Sequence, residues 1–130
     1  AKDAGAKYII SPNTDEEIIR YTKQLGLVSI PGAMTPSEIL AAHDAGADFV
    51  KLFPTVYLGL PYLKDIKGPI NHVKLLGTGG LTEENLKDYL DMGMAGAGIS
   101  GRLVDPELRK KNDYAALSRR AAAFMAIAAT

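Results

Sequence analysis

The chain contains no cysteine and no tryptophan. The first absence excludes a disulfide framework and thiolate zinc sites, and it fits a cytoplasmic protein. Excess charge of either sign is missing too. Fifteen basic residues face fifteen acidic ones, for a formal net charge of zero. That removes the electrostatic argument for binding nucleic acid or an anionic membrane. No apolar run approaches the roughly 18 residues needed to span a bilayer. The start, Ala1-Lys2-Asp3-Ala4-Gly5, lacks a methionine, resembles no signal peptide and reads as the end of a helix. The C-terminal run from Ala121 to Ala129 is too short to span and reads as a final helix. What remains is a globular composition, 47% hydrophobic and 23% charged over 130 residues. That length suits one domain with a moderate core.

A pattern of helix, glycine and strand repeats along the chain. Glycines stand at positions 5, 26, 46, 68 and 93, a regular spacing. Each lies near the end of a helical segment, where glycine suits the left-handed position. The strands expected after them are Lys7–Ile10, Leu27–Ile30, Asp48–Phe53, Val73–Leu76 and Ala95–Ile99. Most are continuous apolar runs, as parallel strands covered on both faces require. Helix starts are marked as well. Thr14-Asp15-Glu16-Glu17 and Thr35-Pro36-Ser37-Glu38 fit the capping box, and Thr82 and Asp113 are expected to begin later helices.

Five βα units of about 20 residues allow an open doubly wound sheet or part of a (β/α)8 barrel. Short uniform repeats favour the barrel. A complete one takes about 200 residues or more. The α/β reading is therefore a partial TIM barrel over residues 1–130, with only about the last five βα units present and the N-terminal strands absent.

Chemistry in a barrel sits where strands run into the loops that follow them. Here those positions read Ser11-Pro12-Asn13, Pro31-Gly32, Phe53-Pro54-Thr55, Gly77-Thr78-Gly79-Gly80 and Gly98-Ile99-Ser100-Gly101. Turns need such residues anyway, but all five strands carry them at the same end. Amides of the Thr78-Gly79-Gly80 turn, ahead of a helix, suit a phosphate. The loop with Ser100 and Gly101 would follow strand eight, and phosphate sites in barrels use the loops after strands seven and eight. Gly96-Ala97-Gly98-Ile99-Ser100-Gly101 also matches a dinucleotide pattern. It lies in the last βα unit, with no later strand to carry the ribose-binding carboxylate, so close packing explains it better. His43 and His72 lack ligand spacing and read as structural. No metal cluster or paired carboxylate stands out, and Arg109-Lys110-Lys111 reads as a solvated loop.

Lys51 is the most unusual residue. It interrupts Asp48-Phe49-Val50-Lys51-Leu52-Phe53-Pro54, otherwise a buried strand. Either its head reaches water, or it stays inside and loses charge more easily. A free amine attacks carbonyls, the basis of Schiff-base catalysis.

Taken together, Ile9-Ile10-Ser11-Pro12, Ile30-Pro31-Gly32 with Thr35-Pro36-Ser37-Glu38, Val50-Lys51-Leu52-Phe53-Pro54 and Gly77-Thr78-Gly79-Gly80 resemble, in order, the aldolases of 2-keto-3-deoxy-6-phosphogluconate (KDPG) and 4-hydroxy-2-oxoglutarate. The resemblance runs from about Gly5 to Leu103. It implies a TIM barrel, a homotrimer, a keto-acid substrate, pyruvate as a product, and no metal or organic cofactor. It implies that Lys51 is the catalytic Schiff-base lysine. Phe53, Thr78 and Pro31 would line the substrate, and Gly79, Gly80, Ser100 and Gly101 would bind phosphate. The chain departs from the pattern twice. The family's Gly-Gly-Ser-like last turn is here Ile99-Ser100-Gly101-Arg102, which moves the serine and adds a cation beside the expected phosphate. The family's general-base glutamate, with an arginine and a threonine, belongs to N-terminal strands that no part of this chain matches. A sister aldolase for a galactonate-derived keto acid or an unphosphorylated hydroxy keto acid, a non-catalytic phosphate-binding barrel and a purely structural fragment are the alternatives. Matched phosphorylated and unphosphorylated substrates, a lysine adduct and sedimentation distinguish them.

Overall fold

A computed structural model describes residues 1–130. A short 3-10 turn, Lys2–Ala4, ends at Gly5. The strands are β1 (Tyr8–Ile10), β2 (Val28–Ile30), β3 (Gly32–Ala33), β4 (Val50–Leu52), β5 (Leu75–Thr78) and β6 (Gly96–Gly98). The helices are α1 (Glu16–Gln24), α2 (Pro36–Asp44), α3 (Thr55–Lys67), α4 (Leu86–Asp91), α5 (Pro106–Lys110) and α6 (Tyr114–Ala128). All paired strands are parallel: β1 with β2, and β3-β4-β5-β6 in sequence order. The two sheets meet where the strand expected to end at Ile30 resumes past Pro31 as β3. Pro31 has no amide hydrogen to donate, so the ladder breaks between β2 and β3. Its carbonyl still accepts from the Lys51 amide at 2.8 Å.

Alternation along these strands separates two faces. Ala33, Val50, Leu52 and Leu75 point toward the helices and join Ile39, Leu63, Ile66, Leu86 and Phe124 in the main hydrophobic cluster. Each fully buried aliphatic side chain there stabilises the fold by roughly 1.5–3 kcal/mol. On the other face lie Lys51, Leu76 and Thr78, with Tyr8, Ile10 and Val28 substantially exposed.

Four of the five marker glycines adopt positive φ: Gly5, Gly26, Gly46 and Gly93. Gly68 does not. It ends α3 at φ −57°, because a further turn through Ile70 carries the chain to β5. The Thr35 capping box forms in full. At α1 the cap is Asp15, not Thr14. The Thr14 hydroxyl is engaged elsewhere, donating to the Gly32 carbonyl at 2.9 Å. Asn85 rather than Thr82 precedes α4, and its side chain accepts from the Thr82 amide. Asp113 caps α6 as expected. Arg109 and Lys110 are not loop residues but the end of α5, which Asp105 caps. α3 breaks at Gly59, where φ is 74°, and Pro61 lies just beyond. No helix is long and apolar enough to cross a membrane.

At the bottom of the sheet, Asp48 accepts two contacts from Lys23 and one from the Ser29 amide. Burial alone would raise its pKa, but these partners hold the carboxyl below its ordinary value.

Candidate active site

The site is built where β4, β5 and β6 run out into loops. Lys51 is the central residue of β4 and is partly buried. Its register partners are Gly32 on one side and Leu76 on the other. Glycine is required at position 32 because the Pro12 backbone packs against it, where a Cβ would collide with the Pro12 carbonyl. The Lys51 ammonium lies 4.4 Å from the centroid of the Phe53 ring and joins none of the five ion pairs in the molecule. Burial therefore lowers its pKa from the ordinary lysine value, with no carboxylate to restore the charge.

Phe53 links this lysine to the next strand. A Cβ built on Gly79 would sit 3.4 Å from the Phe53 ring, so ring and turn are in contact. The two loops are also tied by backbone, since the Val56 amide donates to the Gly79 carbonyl at 3.2 Å. Gly80 needs its glycine on two counts. Its φ is +81°, and a Cβ there would fall 2.5 Å from Val56 Cβ.

Between β4 and β5 a hydroxyl stands in the ladder. The register would pair the Thr78 amide with the Leu52 carbonyl. Instead the Thr78 amide donates to Thr55 Oγ1 at 2.7 Å, and Thr55 Oγ1 donates to the Leu52 carbonyl at 2.7 Å. Thr55 is fully buried. Its side chain thus sets the opening between the strand of Lys51 and the strand of Thr78. Sequence reasoning took Thr55 only as a turn residue. Its helix-opening position after Pro54 was visible, but the partner 23 residues away was not.

Thr78 faces the same side as Lys51, two residues beyond its register partner. Its Oγ1 is the one buried side-chain polar atom without a hydrogen-bond partner. Gly98 makes space for it, because a Cβ there would lie 2.9 Å from that oxygen. Gly96 does the same for Leu76. The glycines of the rejected dinucleotide pattern therefore serve close strand approach.

Past Thr78 the two expected phosphate loops meet. Gly79, Gly80, Gly98, Ser100, Gly101 and Arg102 line one cleft of about 330 Å³. The amides of Gly79, Gly80, Ser100, Gly101 and Arg102 donate to no acceptor in the protein. Such a set of free N–H groups is suited to an anion. The last loop is fixed from behind. Ser100 O accepts from the amides of Leu103 and Val104, and Arg120 donates to the Arg102 carbonyl at 3.1 Å and to Asp105 at 3.2 Å. The structure thus brings Lys51, Phe53, Thr78 and Gly79 together, sets Pro31 against the Lys51 backbone, and places Gly80, Ser100 and Gly101 in the adjoining cleft.

His43 and His72 meet edge to face, with ring centroids 5.2 Å apart. They sit at the N-terminal end of the strands, away from Lys51. No third histidine, cysteine or carboxylate joins them as a metal group.

The chain is similar to known aldolases in sequence and in fold. The chain is 34% identical over 122 residues to a 2-dehydro-3-deoxy-6-phosphogalactonate aldolase of Escherichia coli, covering 93% of this chain and 58% of the relative. It is 35% identical over 91 residues to a 2-dehydro-3-deoxy-phosphogluconate aldolase of Pseudomonas aeruginosa, covering 69% and 41%. The solved KDPG aldolase of Legionella pneumophila, with pyruvate captured as a covalent carbinolamine, superposes with a TM-score of 0.83 at 28% identity, over 97% of this chain and 60% of that one. The chain thus spans about half the length of the curated relatives it matches. Its parallel βα units are those of a (β/α)8 barrel. The model for KDPG and KHG aldolases matches residues 1–120, and the chain belongs to that family.

Proposed function

We propose that Lys51 is the Schiff-base lysine of a class I aldolase that cleaves KDPG to pyruvate and glyceraldehyde 3-phosphate. The observation that carries this reading is the environment of Lys51: an amine without a counter-ion, partly desolvated, beside a turn and a cleft of free amides. The relative from Legionella, which holds pyruvate as a carbinolamine, supports it.

The lone pair of the Lys51 amine adds to the C2 carbonyl of the keto acid. Loss of water from the carbinolamine gives an iminium. The electrons of the C3–C4 bond flow into that iminium while the C4 hydroxyl loses its proton, so C4 leaves as an aldehyde. The enamine left on Lys51 takes a proton at C3, and hydrolysis frees pyruvate and the amine. Burial of Lys51 favours the neutral nucleophile that the first step needs. In this reading the unpartnered Thr78 hydroxyl would bond the keto acid, and Phe53 and Pro31 would line it. The amides of Gly79, Gly80, Ser100 and Gly101 would receive the phosphate, with small residues letting it approach. The proton acceptor for C4 is not among the residues that face Lys51 here. It corresponds to the family's glutamate, which this chain does not match.

The galactonate-derived substrate is the second reading, favoured by the match to the E. coli phosphogalactonate enzyme over 93% of this chain. The two sugar acids differ only at C4, so cleavage rates on the matched pair decide between them. A homotrimer in the cytoplasm belongs to the same proposal, and sedimentation tests the trimer.

The primary test is trapping with pyruvate and borohydride, read by intact mass and peptide mapping. A reduced adduct on Lys51 that disappears in Lys51→Ala and Lys51→Arg is the expected result. Arginine stays protonated and does not substitute. An adduct that persists in either variant removes Lys51 from the mechanism.

A further inference from the structure

We propose that Arg102 is the cationic wall of the phosphate cleft and sets a preference for phosphorylated over unphosphorylated keto acids. The inference rests on reading the Gly79-Gly80 and Ser100-Gly101 turns as the phosphate subsite. Every other residue lining that cleft is glycine, serine or aliphatic. Their amides are neutral donors, which favour oxyanions in general but distinguish poorly between one charge and two. A guanidinium adds a full positive charge and a planar pair of donors that matches phosphate.

The loop is arranged to present that group. Its backbone is held by Arg120, which bonds both the Arg102 carbonyl and Asp105. Arg120 is thereby occupied from behind, and Arg102 is the one charged side chain on the cleft. The Arg102 residue itself is exposed, so its head can turn between solvent and the cleft while the loop stays fixed. Glu84, just after the Gly79-Gly80 turn, lies within its field. The Thr82 hydroxyl and Glu84's own amide are the main causes that hold the Glu84 carboxyl below its ordinary value, and the Arg102 charge adds to them. No ion pair joins the two, so a carboxylate at that position acts on an anion in the cleft only through its field. The choice is therefore between a solvated surface arginine and an arginine that turns to a dianion in the cleft.

The probe is glycerol 3-phosphate, which carries the phosphate ester but no carbonyl for Lys51. Its affinity for the wild-type protein, Arg102→Ala and Arg102→Lys is measured by calorimetry. A charged hydrogen-bonded contact predicts about tenfold to a hundredfold weaker binding in Arg102→Ala, partial recovery in Arg102→Lys, and a gap that narrows as salt rises. Glu84→Gln should tighten binding. The ratio of kcat/KM for phosphorylated over unphosphorylated keto acid should fall in parallel. Equal affinity in Arg102→Ala and wild type would make Arg102 a solvated surface arginine and overturn the proposal. So would absence of binding to the wild type while pyruvate is still trapped on Lys51. Arg102-dependent binding without any lysine adduct would instead preserve this proposal and remove the aldolase reading.

Discussion

Replacing Thr55 by valine tests how the strands of the site are held apart. Valine keeps the shape of the side chain and removes only the hydroxyl's hydrogen bonds. Two backbone groups then lose their partner, the buried Leu52 carbonyl and the part-buried Thr78 amide, each now bonded at 2.7 Å. Leaving a buried group unsatisfied costs about 1–3 kcal/mol. Some of that returns if the strands close and bond directly, so the net loss should be about 2–4 kcal/mol. The entropy of unfolding is about 2.1 cal/mol/K per residue. For 130 residues that gives about 4 °C per kcal/mol, hence a fall in Tm of roughly 8–15 °C. Thr55→Ser keeps the hydroxyl and loses one methyl, for about 1 kcal/mol. Thermal unfolding followed by circular dichroism orders the three proteins wild type, serine, valine. The valine variant should also trap pyruvate more slowly, because closing the gap moves Thr78 relative to Lys51. If valine unfolds at the wild-type temperature, or serine proves the worse substitution, the hydroxyl is not what separates β4 from β5.

Lys51→Met should stabilise the protein most at neutral pH and below. Burial lowers the folded pKa of Lys51, so the cost of its charge is complete below that pKa and vanishes as pH rises to the unfolded value near 10.4. Urea unfolding at three pH values reads the gap between variant and wild type, and a gap that widens with pH contradicts the assignment. Gly80→Ala places a Cβ 2.5 Å from Val56 Cβ at a φ of +81°. Strain of about 1–3 kcal/mol should lower Tm and weaken glycerol 3-phosphate binding at least tenfold by rough estimate. Gly101→Ala meets nothing within 4 Å and should leave Tm in place, which makes it the stability control.

Much of this architecture was readable because its signals are local. Four marker glycines take positive φ where a helix gives way to a strand, and the Thr35-Glu38 capping box needs only four consecutive residues. Lys51 stood out by violating the pattern around it. The sequence misread what depends on distant partners. Thr14 and Asp15 are both good caps, and the choice was made by the Gly32 carbonyl, 18 residues away. Pro31 looked like the end of a strand, yet the chain pairs again at once as β3, because only one ladder bond needed its missing amide. Thr55 carried no sign of its link to Thr78. The meeting of the Gly79-Gly80 and Ser100-Gly101 turns was foreseen only through the order of barrel loops. The pinning of that corner by Arg120 was not foreseen at all.

The two faces of the sheet have different tasks. Val50, Leu52 and Leu75 anchor it to the helices, while Lys51, Leu76 and Thr78 alternate with them and look the other way. Adjacent positions on one strand therefore answer to different constraints, one to packing and the next to chemistry. A library that varies Leu76, the register partner of Lys51, can alter what fits beside the lysine while the helix-facing half of each strand is left untouched. Such a scaffold can change its substrate in small steps without first acquiring spare stability.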